Sequence, residues 1–252
     1  MAKTEVAVGD IYPSKRYGDV VVEYINSYRD IGVVFKNTGA AQSVRRQHLL
    51  RGAMMDRTVP CKYGVGYIGH GIHKAKIEGK HNPVYSVWCN ILRRCYHQLD
   101  IMYPYYGERG VRVAEDWHNF QNFAGWYLLN HKQGYDIDKD LRVRDCKIYS
   151  EDTCWFIPKR INCAINSNIK VKLDNLPNGV HRNARGKPYY SSLCIDGVKR
   201  RLGSFNTADE AFLAYKTAKE DYLKRIATEE YALGTISREI MEALCGWEIR
   251  KH

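Results

Sequence analysis

The chain has 252 residues with 44% hydrophobic and 27% charged side chains, proportions that build a folded core and exclude wholesale disorder. No apolar run approaches the roughly 20 residues of a membrane span, and residues 1–10 lack the apolar stretch of a signal peptide, so the expected compartment is cytoplasmic. A net charge of +11 with a pI near 9.2 makes a polyanion the first partner to consider, because clustered Lys and Arg gain affinity by releasing counterions from phosphates.

Residues 1–62 alternate short β-rich runs, at 20–25 and 31–35, with Gly, Asn and Asp punctuation. The pattern predicts a compact antiparallel sheet or small barrel, with Asn37-Thr38-Gly39 as a turn. Residues 63–82 open with a Gly-rich stretch that reads as a linker. Its GxG lacks a following helix at the distance a dinucleotide loop requires.

From Pro83 the spacing becomes helical, with Val84, Val87, Trp88, Ile91, Leu92 and Cys95 on one side and Arg93 and Arg94 off that stripe. A turn at 103–107 and a short strand at 111–113 precede a second amphipathic helix, in which Trp117, Phe120, Phe123, Ala124 and Tyr127 face a core. The stretch from Tyr135 then reads strand, turn-rich loop, strand at 153–157 and a helix beginning near Pro158, the order of a ββα unit. Residues 83–170 are expected to form one domain.

Residues 174–230 predict a three-stranded sheet and a helix. Strands begin at Gly179 and run through 189–195 and 199–205, with Asp196-Gly197 as the hairpin turn. Thr207 caps the helix and Glu210 completes a capping box, while Ala208, Ala211, Ala214 and Ala218 let the helix lie close to the sheet. Residues 174–206 hold six basic and two acidic side chains. Residues 231–252 remain as a C-terminal tail. The expected fold class is α+β with several small domains.

The eight cysteines contain no CxxC pair, so neither a zinc ribbon nor a thioredoxin-like site is written here, and reduced, mostly buried thiols are expected. The nine histidines show no HxxxH or HExxH spacing.

The run GVHRNARGKPYYSSLCIDGVKRRLGSFNTADEAFLAYKTA, residues 179–218, resembles the AP2 DNA-binding domain in the order and spacing of GV, GK with an aromatic, the hairpin, LG, an aromatic, and an Ala-rich helix. A tyrosine, Tyr189 or Tyr190, stands where that family has tryptophan. The resemblance implies a sheet laid in the major groove of double-stranded DNA, with Arg182, Arg185, Lys187, Tyr190, Lys199, Arg200 and Arg201 as contacts to phosphates and base edges. Strand alternation places only some of these on one face. RNA stays open as a partner, since basic sheets serve both polymers.

The segments YSVWCNILRRCY, YYGERGVRVAEDWHNFQNFAGW and YDIDKDLRVRDCKIYSEDTCWFIPKRIN, between residues 85 and 162, resemble phage HNH endonucleases of the His-Me finger group. That resemblance implies a metal-dependent hydrolase of DNA phosphodiesters in an infected bacterial host, with Mg²⁺ or another divalent cation as cofactor. Position by position it puts Asp138 at the metal-binding acid, Lys139 where the base histidine should stand, Thr153 at a loop asparagine, and Asn162 and Asn166 at the helix ligands. Lysine at the base position departs from the family, and the flanking carboxylates Asp138 and Asp140 favour its charged form. Two readings follow: an active endonuclease using another base, such as Asp140, His118 or His131, or a catalytically degenerate DNA-binding protein that regulates or blocks another nucleic-acid enzyme.

Overall fold

The structure is a computed structural model in which residues 5–166 and 176–251 are described. It is α+β, with 33% helix and 26% strand divided among several separate sheets. The chain forms two compact units, residues 1–129 and 130–252. The expected domain limits at 170 and 174 fall outside the described residues.

The first unit opens with an antiparallel meander of β1 (Ile11–Ser14), β2 (Gly18–Ser27), β3 (Asp30–Phe35) and β4 (Ala41–Val44), in that order across the sheet. Alternation along β2 and β3 buries Val20, Val22, Ile31, Val33 and Phe35, and Leu49 of the short α1 (Arg46–Leu50) closes the same core. The first and last of these strands are not marked by β-rich runs: Pro13 and Gln42 sit in them, and pairing to the stronger neighbours holds them in place.

The glycine-rich stretch read as a linker packs tightly. A Cβ on Gly66 would lie 2.4 Å from Leu92 and 2.9 Å from Trp88, so only glycine lets this backbone approach α2 (Pro83–Tyr96). Between them stands the small hairpin β5 (Lys76–Ile77) and β6 (Lys80–His81). Asn82 caps α2 by accepting from the Val84 amide at 3.0 Å, with Pro83 in the first turn. After β7 (Arg112–Val113), α3 (Phe120–Asn130) supplies aromatic rings that pack on α2, Phe120 lying 5.4 Å from Trp88 and 5.1 Å from Tyr85. The aromatic residues of both helices are therefore core, as their spacing predicts.

The second unit begins with β8 (Tyr135–Asp138), β9 (Ile148–Tyr149), β10 (Trp155–Pro158) and α4 (Lys159–Asn166). Strands β8 and β10 pair antiparallel, with Pro158 still in the ladder opposite Tyr135, so the helix starts one residue later than expected. A second sheet follows, β11 (Val180–Arg182), β12 (Tyr189–Ile195) and β13 (Val198–Phe205), backed by α5 (Ala208–Ala232), and α6 (Arg238–Cys245) comes last. The capping box of Thr207 and Glu210 is formed. One core serves the whole unit: Ile157 and Ile161 of the ββα segment, Val180 and Leu193 of the sheet, Tyr215 and Leu223 of α5, and Ile240 and Leu244 of α6. The C-terminal residues thus contribute to the core rather than trailing from it.

Arg160 of α4 binds this unit together electrostatically, reaching Asp196 at 2.9 Å, Glu229 at 2.8 Å and Glu230 at 3.2 Å. Gly179 has φ near +77°, and a Cβ there would fall 2.0 Å from the Tyr215 ring, which makes glycine obligatory where β11 meets α5. All eight cysteines are unpaired, but only Cys95 and Cys154 are buried while Cys61, Cys163 and Cys194 are exposed, which corrects the expectation of mostly buried thiols. No helix among the described residues is long and apolar enough to cross a membrane.

Candidate functional site

Pairing register decides which basic residues of the three-stranded sheet share a face. Partners in an antiparallel ladder point the same way, and successive residues point opposite ways. Leu193, 2% exposed, faces α5, and its partner is Arg200. The other face carries His181, Tyr190 and Ser204 in one row, Ser192 with Arg201 in the next, and Cys194 with Lys199 beyond them. A bulge between Ser191 and Ser192 re-aims β13 between those rows.

Tyr190 is the centre of that face. The His181 ring stacks on it at 4.9 Å and 26°, and the Arg201 guanidinium lies 4.5 Å from its centroid. His181 Nε2 is 2.9 Å from Ser192 Oγ, and Arg201 Nη2 donates to Ser204 Oγ at 2.8 Å. The ring therefore works as a rigid spacer between an imidazole and a guanidinium, and Arg201 keeps donors beyond the one given to Ser204. A guanidinium fixed in this way suits a phosphate or the paired acceptors of a guanine edge.

The expected contact residues do not form one surface. Lys199, Arg201 and Tyr190 lie on the outer face, and exposed Arg185 and Lys187 sit on the turn between β11 and β12, which the Asn183 amide closes by donating to the Pro188 carbonyl at 2.9 Å. Arg182 pairs with Tyr189 and Arg200 with Leu193, on the face toward α5, although both are exposed at the sheet's margins. His181 was not singled out from the sequence. Its signal was available, two residues past Gly179 in the same alternation that places Tyr190.

The sheet's hairpin acid is neutralised from behind. Asp196 is held down to about 2 by hydrogen bonds from Arg225, then Arg160, with Tyr222 also donating. Its charge is thus taken up by side chains of α4 and α5.

In the ββα segment, Asp138 ends β8 and is 5% exposed. Its Oδ1 accepts from the Leu141 amide at 2.7 Å and the Asp140 amide at 3.0 Å, so the carboxylate organises the loop that follows it. Burial raises its pKa, and the Leu141 amide opposes the rise. Lys139, 6% exposed, donates to the Asp140 carboxylate and to the Cys146 carbonyl at 2.8 Å, with its Nζ 5.8 Å from the Tyr149 ring. An ammonium so engaged has no geometry for taking a proton from water. Thr153 also serves its loop, donating to the Ile148 carbonyl at 2.7 Å and accepting from the Ser150 amide.

Asn162 does not meet Asp138. Its Nδ2 donates to Asp136 Oδ2 at 3.0 Å, and Asn166 Nδ2 donates to Asn162 Oδ1 at 2.6 Å. Asp136, missed in the sequence, alternates with Asp138 onto the same side of β8, and Asn162 and Asn166 are four apart on one face of α4. The expected donor set of Asp138, Asn162 and Asn166 is therefore not assembled. Asp136, Asn162 and Asn166 bring one carboxylate and two amide groups together, the oxygen chemistry a hard divalent ion takes. Among the described residues no group of three His, Cys, Asp or Glu side chains gathers at one point.

The other candidate bases have neighbours of their own. Asp140 is paired with Lys139, and the His131 ring lies 5.2 Å from Phe156. His118 belongs to the first unit, where its Nε2 is 3.2 Å from the Tyr96 hydroxyl and burial lowers its pKa.

No protein-family model, no curated protein and no solved structure matches this chain.

Proposed function

We propose that this chain binds double-stranded DNA through the outer face of an AP2-like sheet, and that its HNH-like ββα segment is a scaffold that does not cleave. The carrying observation is Tyr190, clasped between His181 and Arg201 with Lys199 on the same face. That arrangement fixes a guanidinium at low entropic cost and presents it on a flat strand surface able to enter a major groove. The scaffold reading follows from Lys139, whose ammonium is committed to Asp140 and Cys146. A protein of this kind would act as a regulator or as a blocker of another nucleic-acid enzyme, in the cytoplasm of an infected bacterial host.

The test is fluorescence anisotropy of the full chain with labelled duplex DNA, duplex RNA and single-stranded DNA. Salt-sensitive binding to duplex DNA that Tyr190→Ala and Arg201→Ala weaken is the expected result. Binding unchanged by both variants, or preference for RNA, rejects the reading.

A second reading, a Mg²⁺-dependent endonuclease, is favoured by the Asp136, Asn162 and Asn166 row. Nicking of supercoiled plasmid that requires Mg²⁺ and disappears in Asp136→Ala and Asn162→Ala would establish it in place of the scaffold. Equal nicking by both variants would identify a contaminant.

A further inference from the structure

The first unit carries a basic cleft that plays no part in the sheet described above. The β2–β3 hairpin turns through Tyr28 and Arg29, between the paired residues Ser27 and Asp30. The Arg46 amide donates to the Tyr28 carbonyl at 2.9 Å, which fastens this tip to the start of α1. Between tip and helix lies a cavity of about 530 Å³ whose lining includes Tyr28, Arg29, Arg45, Arg46, Leu50 and Arg51 and no acidic residue.

Four arginines line one cleft, and like charges gathered on one surface repel. Among the described residues, Arg29, Arg45 and Arg51 are exposed and take part in no ion pair. Asp30, next in the chain to Arg29, turns its carboxylate to Ser43, Asn26 and Tyr24 instead. Arg29 lies over the Tyr28 ring at 5.1 Å, and that ring is itself 65% exposed, so the hairpin tip offers an aromatic surface with a cation held against it.

We infer that this cleft is a second DNA contact, binding the phosphodiester backbone through Arg29, Arg45 and Arg51. Guanidinium groups match phosphate oxygens with paired donors, and an open cleft with several separate cations suits a chain of phosphates better than a single small anion. Backbone contact by this unit adds affinity without sequence preference and leaves base discrimination to the sheet around Tyr190. Two sites on one chain that engage one duplex raise overall affinity by roughly 10²–10⁴ over either alone, where geometry permits both. The inference rests on the proposal that the chain binds duplex DNA.

The experiment measures duplex-DNA affinity of the full chain against salt concentration. Each phosphate contact contributes about 0.9 to the slope of log affinity against log salt, so the triple variant Arg29→Gln, Arg45→Gln, Arg51→Gln is expected to flatten the slope by about 2–3. The triple variant with Lys at the same positions keeps the charge and is expected to retain most of the slope. A Gln variant with unchanged slope and affinity, alongside a weakened Arg201→Ala, overturns the cleft but leaves the sheet reading intact. Equal loss in the Gln and Lys variants also overturns it, since charge would not be what the cleft supplies. A wild-type chain that binds no duplex DNA rejects both.

Discussion

Asn162 of α4 donates to the carboxylate of Asp136 on β8 at 3.0 Å, two residues before the acid that the family resemblance selects. This bond ties the helix to the first strand of the ββα segment, while Asp138 on the same side of that strand accepts from the amides of its own loop. A hydrogen bond to a carboxylate in a half-exposed place is worth about 1 kcal/mol. Asp136→Ala is expected to cost that much in urea denaturation, while Asp136→Asn, which keeps an acceptor oxygen, costs less. Identical losses in the two variants would show that the bond contributes nothing.

Lys139 is held by structure rather than by chemistry. Lys139→Met removes the donor from the Cys146 carbonyl and leaves Asp140 without its cation, a loss of about 1 kcal/mol because both acceptors are only partly buried and water can reach them. Thermal and urea melts measure it. DNA affinity should not change in the same variant, and a large drop in binding without a drop in stability would place Lys139 in the DNA interface instead.

Arg201 and Arg200 are neighbours in the chain on opposite sides of the sheet, which makes a sharp comparison. Arg201→Ala is expected to weaken duplex binding by about 1–3 kcal/mol and relax preference at one base position. Arg200→Ala, on the margin toward α5, is expected to have a smaller effect of electrostatic kind only. Reversal of that order in anisotropy titrations would mean that the opposite face meets DNA.

Lys219 on α5 is 1% exposed, and burial lowers its pKa from 10.5 to about 8. The unfolded chain then binds more protons than the folded one between those values, so stability rises with pH across about 8 to 10.5. Below that window burial opposes the charged ammonium in the folded state. Lys219→Met is expected to remove this rise, leaving the wild type to gain stability on the variant as pH climbs through the window. A wild-type-to-variant difference that stays constant with pH would show that Lys219 does not titrate there.

The local features of this protein were legible because they depend on neighbours in the chain. Helical spacing marked α2, the capping box marked the start of α5, and Asp196-Gly197 marked the hairpin between β12 and β13. Strands β1 and β4 were not legible, because their pairing with β2 and β3 holds residues of weak strand preference. The glycines at 66 and 69 looked like a linker, since close backbone approach to Trp88, Leu92 and Asn119 leaves no periodicity to read.

By itself the sequence determined a mixed α+β chain with strong positive charge, a sheet-and-helix module after Gly179, and a ββα order before it. Tertiary structure alone decided which cations share a face, since alternation is local but the β-bulge at Ser191 and Ser192 and the choice of buried face depend on α5. It also decided that Asp136 rather than Asp138 meets Asn162, and that arginines from a hairpin tip and from the end of a short helix, Arg29 and Arg51, line one cleft. Both are contacts between elements, and a linear chain does not record the distances between its own distant parts until a core has fixed them.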